Sequence, residues 1–332
     1  MGTNQERRSG AYATWLAIGA FIGEHLVLIV PVGVAIGVLL PQALLPLKPL
    51  VPTFFAIMTL QNSLSNDFDA MRTALRRPAA LLVTIVLVHV IMPLLTFAVA
   101  SLLFGAQSPT VAGVVLEYTV PIGASAIMWI GMFCGEVALG LSTLLVSTLI
   151  SPVTIPWTLQ VLVGTTVQID APGMMASMAY MVAVPALIAT VANELSNGRA
   201  KRVVAPATTP VSRLLLPVIV ATNATGISEP LHHLTPRLVT IMLVMLGFAV
   251  GSFLLGMVLA RRLSRGDKAR FVAVSFGCGI RNVTAGAVLA ATYFGPEVMF
   301  PAIIATPFQQ VLAAVFGRIM KRTLDAQTAQ QR

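Results

Sequence analysis

Charge is what this sequence has least of. Asp, Glu, Lys and Arg make up 10% of its 332 residues and hydrophobic types 57%, with a mean hydropathy of +0.88. Soluble domains carry charge on roughly a quarter of their residues, so the deficit excludes a soluble globular protein and leaves lipid as the solvent. Cysteine is nearly absent: Cys134 and Cys278 stand far apart, which excludes a disulfide framework and a Cys/His metal centre. No Gly-x-x-x-x-Gly-Lys-Ser/Thr stretch occurs, so the chain does not power its work with a nucleotide. Its apolar segments hold no paired nucleophile and base, which argues against an intramembrane enzyme. No cofactor and no metal is expected. No small-residue cleavage site follows the apolar stretch from Tyr12, so this stretch reads as a retained interfacial helix and not as a removed signal.

What the sequence has instead is long apolar runs. A helix needs roughly 20 mostly apolar residues to cross a bilayer. Runs bounded by charged or Pro/Gly-rich breaks fall near residues 25–41, 49–65, 78–104, 109–133, 137–163, 173–195, 208–227, 237–260, 270–293 and 298–318. The expected fold is therefore an all-α polytopic membrane protein of about ten transmembrane helices. Residues 1–24 would form a cytoplasmic N-terminus with the interfacial helix, 25–322 the transmembrane domain, and 323–332 a cytoplasmic tail.

Basic residues test this layout, because Lys and Arg near span ends collect on the cytoplasmic side. With the N-terminus inside, that side holds Arg7 and Arg8; Arg72, Arg76 and Arg77; Arg199, Lys201, Arg202 and Arg213; Arg261, Arg262, Arg265, Lys268 and Arg270; and Arg318, Lys321, Arg322 and Arg332. The opposite face keeps Lys48 and Arg237, and Arg281 falls within a span. This asymmetry points to a multi-pass protein of a cell (inner) membrane with both termini cytoplasmic. It also explains the net charge of +9 by anionic lipid at the cytoplasmic surface, without nucleic acid.

Ten spans divide into two sets of five, and because five is odd the second set sits upside down relative to the first. Inverted repeats of this kind place substrate near the midplane, where corresponding helices are interrupted and expose backbone groups. The fourth span of each half carries such an interruption: Pro121-Ile122-Gly123-Ala124-Ser125 in span 4, and Gly277-Cys278-Gly279-Ile280-Arg281-Asn282 in span 9. Glycine there permits unwinding, and the freed helix ends present partial charges to a ligand. Close helix packing through small residues is the competing reading of either motif alone.

On these residues the chain resembles the bile acid:sodium symporter family. The likeness is carried by Val115 to Thr158, which includes the span 4 break and Val146-Ser147-Thr148-Leu149-Ile150-Ser151-Pro152, by Asn282 to Phe294, and by Ile91-Met92-Pro93 in span 3. The resemblance implies a core of spans 3 to 5 and 8 to 10, with spans 4 and 9 crossing at their breaks. It implies a panel of spans 1, 2, 6 and 7, with substrate moving through the cleft between the two. Sodium ions would be held by polar side chains around the crossing. At those positions this chain has Val88, Ala126, Ile127, Gly140, Leu144, Gly277 and Arg281, and keeps Asn282. A hard cation needs about six oxygen ligands, so sodium coupling is not expected.

Arg281 is the most informative residue, because a charged side chain at mid-membrane needs a partner or a ligand. At the place where the resemblance puts a sodium ion, its guanidinium would supply a fixed positive charge and grip a carboxylate with its planar fork of donors. Glu117 lies about one turn before Pro121 and is the acid expected well inside the bilayer. Two roles stay open for it: an ion-pair partner for Arg281, or a group that takes up and releases protons during turnover. Asn282, Ser125 and Thr284 near the breaks are candidate substrate contacts, with Asn62 in span 2, Asn223 in span 7, and Gln309 and Gln310 in span 10. Ser147 and Thr148 read as helix-stabilising, and His89 as a hydrogen-bonded core histidine. The functional expectation is a secondary transporter of a small organic anion working by alternating access. An uncoupled uniporter or channel, and a substrate-sensing protein that has lost transport, are the alternatives.

Overall fold

Lipid offers the backbone no hydrogen bonds, so each N–H and C=O at membrane depth must find a partner within the chain. The apolar runs answer with helices. The computed structural model describes residues 2–330 except 67–71, 73–77, 233–234 and 265, without the side chains of residues 2–9, 27, 232, 307, 310 and 324–330. Arg76, Arg77, Arg265 and Arg332, and the side chains of Arg7, Arg8 and Gln310, therefore lie outside the described residues.

The helices are α1 (Gly2–Glu24), α2 (Leu26–Leu39), α3 (Pro41–Ser63), α4 (Pro78–Phe104), α5 (Pro109–Thr119), α6 (Ser125–Met132) and α7 (Val137–Val163). They continue as α8 (Ala171–Leu195), α9 (Ala200–Leu231), α10 (Pro236–Ser264), α11 (Lys268–Gly279), α12 (Val283–Tyr293), α13 (Pro296–Ile304) and α14 (Thr306–Gln330). Six of them, α3, α4, α7, α8, α9 and α10, are each long and apolar enough to cross a bilayer. A seventh span results if Gly10–Glu24 and Leu28–Leu39, bent by 84°, are taken together. The expected spans near 109–133, 270–293 and 298–318 are each divided, into α5 and α6, α11 and α12, and α13 and α14. Among the described residues the sole strand-like feature is one isolated antiparallel bridge, between Ile122 and Arg281. The protein is all-α and polytopic.

Several helices outrun the apolar runs that announce them. α9 begins at Ala200, ahead of the expected 208, because helical structure continues through the basic Lys201 and Arg202. α14 runs to Gln330, into the segment expected as a tail. α1 is anchored along α9: Trp15 Nε1 donates to Ala207 O at 2.8 Å and the Arg213 guanidinium to Gly19 O at 2.7 Å.

Three helices widen into a π turn, at Leu87–Ile91, Ala179–Ala183 and Ala200–Val204. Each turn ends two residues before a proline, Pro93, Pro185 or Pro206. A proline ring clashes with the carbonyl four residues back and brings no N–H to bond it. In all three cases that carbonyl belongs to the widened turn, which absorbs the misfit without breaking the helix.

The outer surface is apolar, with Leu102 86% exposed and Leu195 80% exposed, as lipid-facing side chains require. Inside, α2 packs on α9, and α3 on α8 and α9. A second group packs α4 on α5, α5 on α13, α10 on α11 and α12 on α13. The cleft described next lies where these groups meet.

Candidate functional site

Two helices stop in mid-protein for reasons legible in their residues. α5 ends at Thr119, and Val120 turns extended (φ −63°, ψ 154°) because the ring of Pro121 disfavours helical geometry in the residue before it. α11 ends at Gly279; Ile280 is extended (φ −105°, ψ 118°), and Asn282 restarts the chain as the N-cap of α12, its side chain accepting from Ala285 N.

The two extended segments run antiparallel and pair with each other. Gly123 N donates to Ile280 O at 3.2 Å and Asn282 N to Pro121 O at 2.8 Å. Gly123 is required for this approach, since a Cβ there would stand 2.6 Å from Arg281 O. A lone bridge has two unpaired edges, and at membrane depth neither can turn to water. One side chain closes each. Gln309 of α14 caps the outer edge of Arg281, accepting from Arg281 N at 2.9 Å and donating to Arg281 O at 2.7 Å. Ser147 of α7 accepts from Ile122 N at 3.1 Å. Its oxygen lies 2.8 Å from His89 Nε2, whose Nδ1 lies 3.1 Å from Thr154 Oγ1.

The paired breaks form the wall of a cavity of about 140 Å³, to which Gly123, Ser125, Arg281, Asn282 and Thr284 contribute, with Gln309 from α14 and Asn62 from α3. A second chamber of about 350 Å³ shares Asn62 and Ser125 with it and extends to Ser65, Gln61 and Arg213.

Arg281 is 3% exposed, and none of its three guanidinium nitrogens has a hydrogen-bond partner. The Tyr118 ring stands beside it, with the guanidinium carbon 6.0 Å from the ring centroid, within reach of cation–π attraction. Glu117, one turn before the break, is 1% exposed and its Oε2 is likewise unpartnered. No salt bridge joins the two among the described residues, whereas Arg270 pairs with Glu136 and Asp267 elsewhere in the protein. They line instead a small cavity of about 10 Å³, room for about one water.

Six of the expected site residues, Arg281, Asn282, Ser125, Thr284, Asn62 and Gln309, thus meet at one cleft, with Glu117 behind Arg281. Asn223 is elsewhere: it is 2% exposed in α9, both amide atoms lack partners, and it does not line the cleft. The Gln310 side chain lies outside the described residues. The supports of the bridge were not foreseen as such. Ser147, expected only to stabilise its helix, holds the span 4 break, and His89 is a hydrogen-bonded core histidine whose partner is that support. Nothing in the local sequence around His89 reveals a partner on another helix; the π turn ahead of Pro93 is the feature that marks its position.

Among the described residues, no group of three or more His, Cys, Asp or Glu side chains could hold a metal ion. At Val88, Ala126, Ile127, Gly140, Leu144 and Gly277 the side chain ends in carbon or hydrogen, so only backbone oxygen is on offer there.

Comparison with known proteins agrees with this architecture. A model of the sodium bile acid symporter family matches residues 52–233. The chain is 34% identical over 299 residues to the protein YbaS of Bacillus subtilis (strain 168), covering 89% of this chain and 96% of YbaS. It is 28% identical over 321 residues to the probable sodium/metabolite cotransporter BASS1, chloroplastic, of Oryza sativa subsp. japonica, covering 92% and 76%. With the sodium-dependent transporter YocS of Bacillus subtilis (strain 168) it shares 24% identity over 289 residues, covering 86% and 88%. A polytopic helical protein with two broken helices paired over a buried cleft, matched by this family model over more than half its length, belongs to the sodium bile acid symporter family and is a membrane transporter, not an enzyme.

Proposed function

We propose that the chain is a secondary transporter of a small organic anion, that it works by alternating access, and that the Arg281 guanidinium holds the anionic group. One observation carries the reading: a guanidinium at the helix crossing is buried with no hydrogen bond to any of its nitrogens. A buried charge left without a partner costs several kcal/mol, and a carboxylate that accepts two of its N–H bonds offsets that. The cavity of about 140 Å³ compares with one that admits a benzene-sized molecule, which favours a compact acid. The fixed charge takes the place of a bound cation, so transport does not require sodium. Spans 1, 2, 6 and 7 (α2, α3, α8, α9) form the panel and the remainder the core. The packing of α2 and α3 on α8 and α9 supports this division. The second chamber, reaching Arg213 and Ser65, is the cytoplasmic mouth of the cleft.

The test is uptake of labelled monocarboxylates into proteoliposomes under imposed gradients, with choline in place of sodium in half the samples. Wild type is expected to accumulate an acid without sodium. Arg281→Gln should lower its affinity at least tenfold and Arg281→Lys, a point charge without the fork, by less. Unchanged affinity in Arg281→Gln, or a strict sodium requirement, would refute the reading. Downhill flux that no gradient can drive would identify a uniporter, and binding without flux a sensor.

A further inference from the structure

We propose that Glu117 is the coupling group of this transporter: it takes up one proton when an anion docks on Arg281 and returns it when the anion leaves. The inference rests on the anion-site reading above.

Among the described residues, Glu117 and Arg281 are the two formally charged side chains that are fully buried. A structural ion pair closes to contact, because two desolvated charges recover their hydration only through direct hydrogen bonds. These two do not: each keeps unpartnered atoms, and both line a chamber with room for about one water. Gly286 is what lets the carboxylate sit there, since a Cβ at that position would collide with Glu117 Oε2. Arg281 lines both this chamber and the substrate cleft, whereas Glu117 lines only the chamber. The acid and an incoming anion therefore approach one guanidinium from different sides.

Charge counting gives the consequence. In the proposed cycle the empty site holds the positive Arg281 and an ionised Glu117 and is neutral. An anion on Arg281 leaves a surplus negative charge in a medium that solvates it poorly. One proton from the aqueous cleft, converting the Glu117 carboxylate to the acid, restores neutrality. The chamber shares Arg281, Val283 and Gln309 with the cleft, so the two cavities adjoin at these residues.

Among the described residues, no other titratable group around α5 is placed to do this. Tyr118, its neighbour in the helix, faces Arg281. From α4, His89 has both ring nitrogens engaged. On α11, Cys278 is buried, and α7 contributes no titratable side chain. Tyr293 of α12 donates to Gly173 O, Glu297 of α13 is exposed, and Arg237 of α10 bonds Ser108 and Thr110 where α5 begins.

The experiment is calorimetry on the full chain in nanodiscs, with acetate and benzoate as small and bulky monocarboxylate probes, in buffers of different ionisation enthalpy. Wild type should take up close to one proton per anion bound, and probe affinity should fall about tenfold per pH unit once Glu117 is ionised. Glu117→Gln should bind the probe without proton uptake, lose accumulation driven by a pH gradient, and keep probe-for-probe exchange. Zero proton uptake by wild type, with binding still dependent on Arg281, would overturn this proposal alone. Binding unaltered in Arg281→Gln would overturn the anion site, and the proposal with it. The wild-type proton count decides the matter even if Glu117→Gln fails to fold.

Discussion

Replacing Gly123 by alanine should separate the two breaks, and a glycine close by supplies the control. The added Cβ would lie 2.6 Å from Arg281 O and 3.0 Å from Arg281 C. Backbone atoms cannot swing aside, so reaching the 3.4 Å of ordinary contact means the segments part by about 0.8 Å. That movement takes the bridge bonds of 2.8 and 3.2 Å past 3.5 Å, where they cease to count. Two hydrogen bonds at about 1 kcal/mol each, with overpacking of about 1–3 kcal/mol, give a loss of about 3–5 kcal/mol. In detergent this should lower the apparent melting temperature by roughly 5–10 °C and abolish probe uptake. Gly277, on α11 just before the break, has Thr84 Cγ2 at 3.4 Å and Ile122 Cδ1 at 4.0 Å from its would-be Cβ. Gly277→Ala should therefore be neutral or gain up to about 1 kcal/mol from helix propensity. The reasoning fails if Gly123→Ala melts with wild type, or if the two substitutions behave alike.

The edge-closing side chains should be similarly exacting. Gln309→Leu leaves Arg281 N–H and C=O buried without partners, so it should destabilise by about 2–4 kcal/mol, with Gln309→Glu, which still accepts from Arg281 N, falling between; thermal unfolding checks the order. Ser147→Ala orphans Ile122 N–H and one His89 nitrogen, and a loss of about 1–3 kcal/mol is expected, largely recovered in Ser147→Thr, which keeps the hydroxyl.

Helices were legible wherever an apolar run was long, as in α4 and α10, because lipid leaves the backbone no other way to bond itself. The breaks were legible too, since Pro121 forbids helix before it and Gly277 and Gly279 weaken it. That the breaks meet was not a property of either segment: the bonds from Gly123 to Ile280 O and from Asn282 to Pro121 O join residues far apart in the chain, and no local pattern encodes them. The same limit applies to polar residues. Gln309 was visible as a polar group at membrane depth, but its position in sequence could not distinguish a substrate contact from a clamp on another helix's backbone. Asn223 had the same signature and lies away from the cleft. Composition marks a residue as out of place in lipid; only packing decides what answers it.

The crossing divides its hydrogen bonding in a way that bears on mechanism. Around Arg281 the backbone is satisfied on both sides: its neighbours pair with Pro121 and Gly123, and its own N–H and C=O are held by Gln309. Its guanidinium makes no hydrogen bond. If stability alone governed this position, the costly group would be the satisfied one, and the nearby carboxylate of Glu117 would close on it. A rigid backbone carrying an unsatisfied side chain is instead what a binding site needs, because a donor already fixed in place loses little freedom when its ligand arrives. On the proposed reading, the absence of a salt bridge between Glu117 and Arg281 keeps the guanidinium available, and makes its occupancy a question of charge balance that an arriving anion and a proton settle together.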